Sequence, residues 1–247
     1  MNHFILEACV DNIASAKAAM RGGADRLELC TGLVVGGLTP GLPFFRQVKE
    51  QTGLRTHVLV RPRFGDFCYT DDEFAVMLEE ISALVQAGAD AIVTGFLLPD
   101  GNLDLTKMEK VRALCKNCRL TLHRAFDVCA DPYRALEEAK TLGIDTILTS
   151  GQQNSAVEGA ALLRDLVQQA GPVEILVGSG VKSGNLRELA MKTGAKSFHL
   201  SAKKEKDSAM QYRKAGVSMG LPMMSEYTIF ETDEAEIAAA RQILEQL

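Results

Sequence analysis

Two short strings near the N-terminus, Leu6-Glu7-Ala8-Cys9 and Leu27-Glu28-Leu29-Cys30, each set a carboxylate two residues before a thiol. Each closes a run that reads as a β-strand, and residues two apart in a strand share a face. Glu7 then points with Cys9, and Glu28 with Cys30. On neighbouring strands, about 4.8 Å apart, two thiols and two carboxylates crowd one patch at the strand ends. Convergent thiolates suit soft Cu(I) better than Mg or Ca. Zinc calls for three or four protein ligands, and no His-x-x-x-His or paired Cys-x-x-Cys pattern completes such a set. Plain packing competes with both readings, because free cysteine is among the most buried residue types.

A second group of residues points to acid–base and anion chemistry. His123 ends a strand-like run and reads as a group titrating near neutrality, with Asp127 four residues on to orient the imidazole or bind Arg124. Arg61, Arg63, Arg124 and Lys182 are placed to surround an anion, unless they only neutralise Glu7, Glu28 and Asp127 in structural pairs. Gly178, Ser179 and Gly180 follow the seventh strand, where many barrels hold phosphate on bare backbone N–H groups. His57 and His199 carry weaker signals, and His3 reads as a mobile terminal residue. Cys115 and Cys118 form the one Cys-x-x-Cys spacing, but at a helix end, whereas a low-pKa redox thiol wants a helix N-terminus. Cys68 and Cys129 fall in loops above the strands, with Cys68 in reach of the mouth.

These residues need a frame, and the periodicity supplies one. Short apolar or β-branched runs alternate with amphipathic ones from end to end. Strands are expected at Phe4–Cys9, Asp25–Cys30, Arg55–Arg61, Asp90–Thr94, Arg119–His123, Thr146–Ser150, Val173–Gly178 and Lys196–Leu200. Glycines 23, 53, 88, 143, 171 and 194 precede strands as left-handed helix stops, and Asn117 takes that role before the fifth. Thr70 with Glu73 reads as a capping box, and Asp131-Pro132 as an N-cap with proline at the first helical position. Eight strand–helix units without a linker or composition break predict an α/β fold, one (β/α)8 TIM-like barrel over residues 1–247. An open doubly wound sheet fits the strand count less well.

In such a barrel the strand C-termini carry the active face. The segment 201–231 is long for a connection after the last strand and reads as a lid or binding loop. Within it, residues 226–230 can return as a short strand, and Met219, Leu221, Met223 and Met224 can pack on the barrel or at a subunit contact.

A net charge of −5 and a pI near 5.5 argue against general nucleic-acid or anionic-membrane binding. No apolar run approaches the roughly 20 residues of a membrane span, and the N-terminus shows no secretory pattern. The six cysteines are scattered through a chain too long to need disulfide staples, which points to reduced thiols in a cytoplasm.

The strings EACV, GGADRLELC, GGLTPG, RPRFGDFCY, HRAFD, LTSG, FHLSA and MMSEY, in this order over nearly the full length, resemble the CutC copper-homeostasis family. Two departures stand out: Phe64 precedes Gly65-Asp66 where the family usually has paired glycines, and Gly-Ser-Gly replaces a run of glycines after the seventh strand. The resemblance implies a cytoplasmic TIM-like barrel, a homodimer or higher homo-oligomer, that binds Cu(I). The proposed ligands of the family fall on Cys9 and Cys30. A carrier of copper has no need of Arg61, His123, Arg124 and Asp127. The alternative is therefore a metal-independent barrel enzyme on a small phosphorylated or carboxylated molecule, with Glu7 or Glu28 as base and His123 as acid.

Overall fold

Capping residues set where the helices begin. In the computed structural model, which describes residues 4–221 and 224–247, Thr70 accepts from the Glu73 N–H at 3.2 Å while Glu73 accepts from the Thr70 N–H at 2.8 Å. This capping box opens helix α3 (Asp71–Gln86). Asp131 accepts from the N–H groups of Tyr133 and Arg134 and opens α5 (Pro132–Leu142), with Pro132 where its missing N–H costs nothing. Helices α2 (Leu42–Thr52), α5 and α7 (Ser183–Thr193) stop on left-handed glycines, as the sequence predicts.

Asn117 departs from that pattern, since its φ is not positive. Helix α4 (Leu105–Leu114) instead ends at Cys115, and the Arg112 guanidinium donates to the carbonyls of Cys115 and Cys118. With those acceptors satisfied by a side chain, no left-handed residue is required.

The remaining helices are α1 (Ile13–Arg21), α6 (Ala160–Gln169) and α8 (Glu234–Glu245). The strands are β1 (Ile5–Val10), β2 (Arg26–Leu29), β3 (Arg55–Leu59), β4 (Ala91–Thr94), β5 (Arg119–Leu122), β6 (Thr146–Thr149), β7 (Glu174–Val177) and β8 (Ser197–Leu200). They pair in parallel in sequence order and β8 returns to β1, closing the expected (β/α)8 barrel. Register aligns Glu7 with Arg26 and with His199, and Cys9 with Glu28.

The main core lies between the barrel and its helices. Alternate strand residues such as Leu6, Leu27, Val58, Ile92, Leu122 and Phe198 face outward into it. Cys9, Cys30, Leu59 and Val93 form a separate small apolar cluster. Below that cluster the barrel interior is charged, where such barrels usually carry branched apolar layers.

After β8 the chain leaves the barrel as an antiparallel hairpin, β9 (Lys203–Asp207) with β10 (Thr228–Thr232), and then enters α8. The returning strand expected at 226–230 is thus present, displaced by two residues. Met219 and Leu221 are exposed rather than packed on the barrel. His3 and Met223 lie outside the described residues.

Gly159, just before α6, lies against the end of β6, where a β-carbon would sit 1.9 Å from the Ser150 carbonyl oxygen. Gly159→Ala is expected to cost ~1–3 kcal/mol, read as a lower urea midpoint at unchanged slope. A wild-type midpoint would mean that the two segments separate freely.

Candidate metal and ligand site

Glu7 anchors the interior of the barrel. Its carboxylate accepts from Arg26 Nε at 2.6 Å and pairs with His199 Nδ1 at 2.7 Å. His57 Nδ1 stands 3.3 Å away, within reach of the charge but poorly aimed for a hydrogen bond. Arg26 also bonds Glu174 at 2.5 Å, and Arg119 reaches Glu174 at 3.3 Å. Burial opposes the Glu7 charge, but Arg26, then His199 and His57, outweigh it and hold the carboxyl well below its ordinary range. A carboxylate so occupied is a poor base. Placing Glu7 at the mouth as a catalytic base is therefore corrected: it is the third residue of β1 and does not line the cavity above.

That cavity, about 960 Å³, opens at the C-terminal ends of the strands, within the size range of small-molecule sites. Cys9, Glu28 and His199 form its floor, and their ligating atoms lie within 4.8 Å of one another. Cys9 Sγ donates to Glu28 Oε1 at 3.5 Å and lies 3.9 Å from Cys30 Sγ. The hydrogen bond to Cys30, then burial, then the nearby negative charges push the Cys9 thiol well above its usual range. Burial likewise raises Glu28, against the pull of His199 and with the push of Glu7, and its Oε2 has no hydrogen-bond partner among the described residues. His199 is raised despite its burial, because Glu28 and Glu7 favour the imidazolium. Cys30 is fully buried behind Cys9, its Sγ 3.7 Å from the Val10 carbonyl.

The same cluster suits a cation. With Nδ1 of His199 held by Glu7, its Nε2 can take a metal once it gives up the proton that Glu28 and Glu7 favour, as in carboxylate–histidine–metal arrangements. Sequence reasoning ranked His199 too low and missed Arg26. The signal was available in the strand alternation Phe198-His199-Leu200, but it gains meaning only when β8 closes against β1.

Higher on the wall, His123 is buried, and its Nδ1 accepts from the Ala125 N–H at 3.2 Å, which leaves the ring proton on Nε2. Burial, helped by the Arg61 charge, lowers its pKa from 6.5 to about 3. The expectation of a titrating acid is corrected: His123 is a neutral, fixed N–H donor, because its site is dry and Arg61 is adjacent. Asp127 does not touch His123. It binds Arg124 at 2.6 Å and accepts from Thr149 Oγ1 and the N–H groups of Ser150 and Gln152, bracing the loop after β6.

The arginines divide. Arg61 lines the cavity, donating to the carbonyls of Val35, Gly37 and Gly65. Arg124 also lines it, charge-compensated by Asp127. Arg63 turns away to Asp66 and Glu73 and stacks on Tyr69. Ser179 and Gly180 line the wall, whereas Gly178 is a packing position where a β-carbon would meet Leu148 at 2.6 Å. Cys68 is not among the lining residues, and Cys115 and Cys118 lie below, between α4 and β5.

Two outcomes test this electrostatic layout. Arg26→Met strands the buried Glu7 charge and is expected to lose about 3–5 kcal/mol in chemical denaturation; a loss under about 1 kcal/mol contradicts the buried pair. For His123 the folded pKa lies below the unfolded one, so the unfolded chain binds the extra proton. Its contribution is intact above pH 6.5 and drains away as pH falls towards 3. His123→Gln should flatten stability in that window, and an unchanged acid limb would show an imidazole in contact with water.

A family model described as the CutC family matches residues 4–204. The human copper homeostasis protein cutC homolog is 40% identical over 100% of this chain and 91% of its own. A family protein CutC from Citrobacter koseri is 40% identical, covering 97% of each chain. The solved structure of CutC from Streptococcus agalactiae superposes with a TM-score of 0.76 at 30% identity, over 80% of this chain and 98% of that one.

Proposed function

The chain belongs to the CutC family, and from that premise we propose that it serves copper homeostasis by binding Cu(I) through the thiolates of Cys9 and Cys30. The observation that carries the reading is the 3.9 Å approach of the two sulfurs, that of Cys9 on the floor of an open cavity and that of Cys30 buried behind it. Sulfur donors select Cu(I) over hard cations, and the adjacent His199 imidazole adds a borderline nitrogen donor. Each thiol gives up its proton when metal binds. The Glu28 carboxylate, hydrogen-bonded to Cys9, is placed to receive one.

A cytoplasmic setting follows from the same chemistry, supported by cysteines that are all free. No helix among the described residues is long and apolar enough to cross a membrane. Assembly into a homo-oligomer is supported by Met210, Tyr212, Val217 and Met219, which the excursion between β9 and β10 leaves exposed.

Anaerobic Cu(I) titration against a chromogenic competitor checks the reading. Cys9→Ser and Cys30→Ser are each expected to weaken binding at least about a hundredfold, the scale of losing a soft ligand. His199→Ala should weaken it less. Wild-type affinity in both serine variants would refute thiolate ligation.

A further inference from the structure

The copper reading uses the floor of the cavity and leaves its wall unexplained. The loop after β7 is unusual: Ser179, not a glycine, holds φ +72°, and Gly180 follows at +71°. A β-branched or ordinary side chain pays for such a conformation only where the surroundings enforce it. Here Ser179 Oγ donates to the Asn154 carbonyl at 2.7 Å, and the Ser179 carbonyl accepts from Ala156 at 2.9 Å. Asn185 ties the other end, donating to the Gly180 carbonyl and accepting from the Lys182 N–H, both at 2.9 Å. The result is a rigid loop feeding the N-terminus of α7. Among the described residues, no protein acceptor meets the N–H groups of Ser179 and Gly180. Glu236 already bonds the Ser183 N–H and hydroxyl, so that end of α7 holds one carboxylate as built.

Two buried groups on the same cavity point independently to a ligand. His123 Nε2 and Arg61 Nε have no hydrogen-bond partner among the described residues, and their residues are only 5% and 7% exposed. Leaving such buried donors without a partner is unfavourable. Both are donors: the ring proton of His123 sits on Nε2, and a guanidinium only donates. They therefore call for an oxygen acceptor. The charge balance agrees in sign. No carboxylate pairs with Arg61, Lys182 or Lys203 among the described residues, whereas Asp233 is matched by Lys204.

We propose that the cavity binds a small organic phosphate, its phosphoryl group on the Ser179–Gly180 loop beside Lys182 and a carbonyl or carboxylate oxygen against His123 and Arg61. This ligand site goes beyond the copper reading and stands whether or not the thiols hold metal.

The test is calorimetric titration of the metal-free full chain with inorganic phosphate, 2-phosphoglycolate and malonate. One saturable site is expected for 2-phosphoglycolate, at least about tenfold tighter than for inorganic phosphate, with malonate weaker still. Lys182 is exposed, so Lys182→Glu should fold normally and weaken both phosphate probes about tenfold or more. His123→Phe should weaken 2-phosphoglycolate and leave inorganic phosphate unchanged. Binding should persist in the Cys9→Ser/Cys30→Ser variant, which separates this outcome from that of the copper titration. No saturation by either phosphate probe up to about 20 mM overturns the proposal, as does malonate matching 2-phosphoglycolate or indifference to Lys182→Glu.

Discussion

A single carboxylate inside the barrel, Glu7, is the point on which the rest of the site depends. It stands on β1, bonds Arg26 on β2 and His199 on β8, and stands beside His57 on β3. Through Arg26 the network continues to Glu174 on β7 and Arg119 on β5. A charge in that interior is tolerable only when its partners are fixed. Those partners in turn fix the imidazole of His199, and with it the spacing of Cys9 and Glu28 above. The interior therefore trades apolar filling for orientation.

The cavity sets two groups of residues apart, and the two proposed ligands would share no atoms of them. At the floor, sulfur and imidazole donors converge among buried groups whose charges are mutually compensated. On the wall, donors and uncompensated cations are arranged around space. The neutral state of His123 belongs to this division. A charged imidazole beside Arg61 would repel the cation and demand solvent, whereas a neutral one gives direction with no net charge.

Much of the architecture was legible in residue order because it is written locally. The capping box at Thr70 and the glycine stops at 53, 143 and 194 each depend on a few neighbouring residues. Strand positions were legible to within a residue or two for the same reason. Asn117 misled because Arg112, a turn earlier, took over the work of the cap. The site was less legible. Whether Glu7 faces the mouth or the interior depends on how far the strands are staggered, which no local string records. Arg26 and His199 acquire their roles only from strand pairing, and His123 loses its expected titration to burial. The repeated Glu-x-Cys spacing did bring Cys9, Glu28 and Cys30 together. It did not reveal that the first glutamate belongs to the scaffold.

The closure of β8 onto β1 joins residues 192 positions apart, Glu7 and His199, in one hydrogen bond. On the ribosome this means that the first strand emerges with a carboxylate whose imidazole partner is made 192 residues later. Until then Glu7 and Arg26 have water as the better environment, and the nascent barrel has a cost for burying them early. A chain that stops before β8 has no way to assemble the floor of Cys9, Glu28 and His199, however well its earlier units have formed.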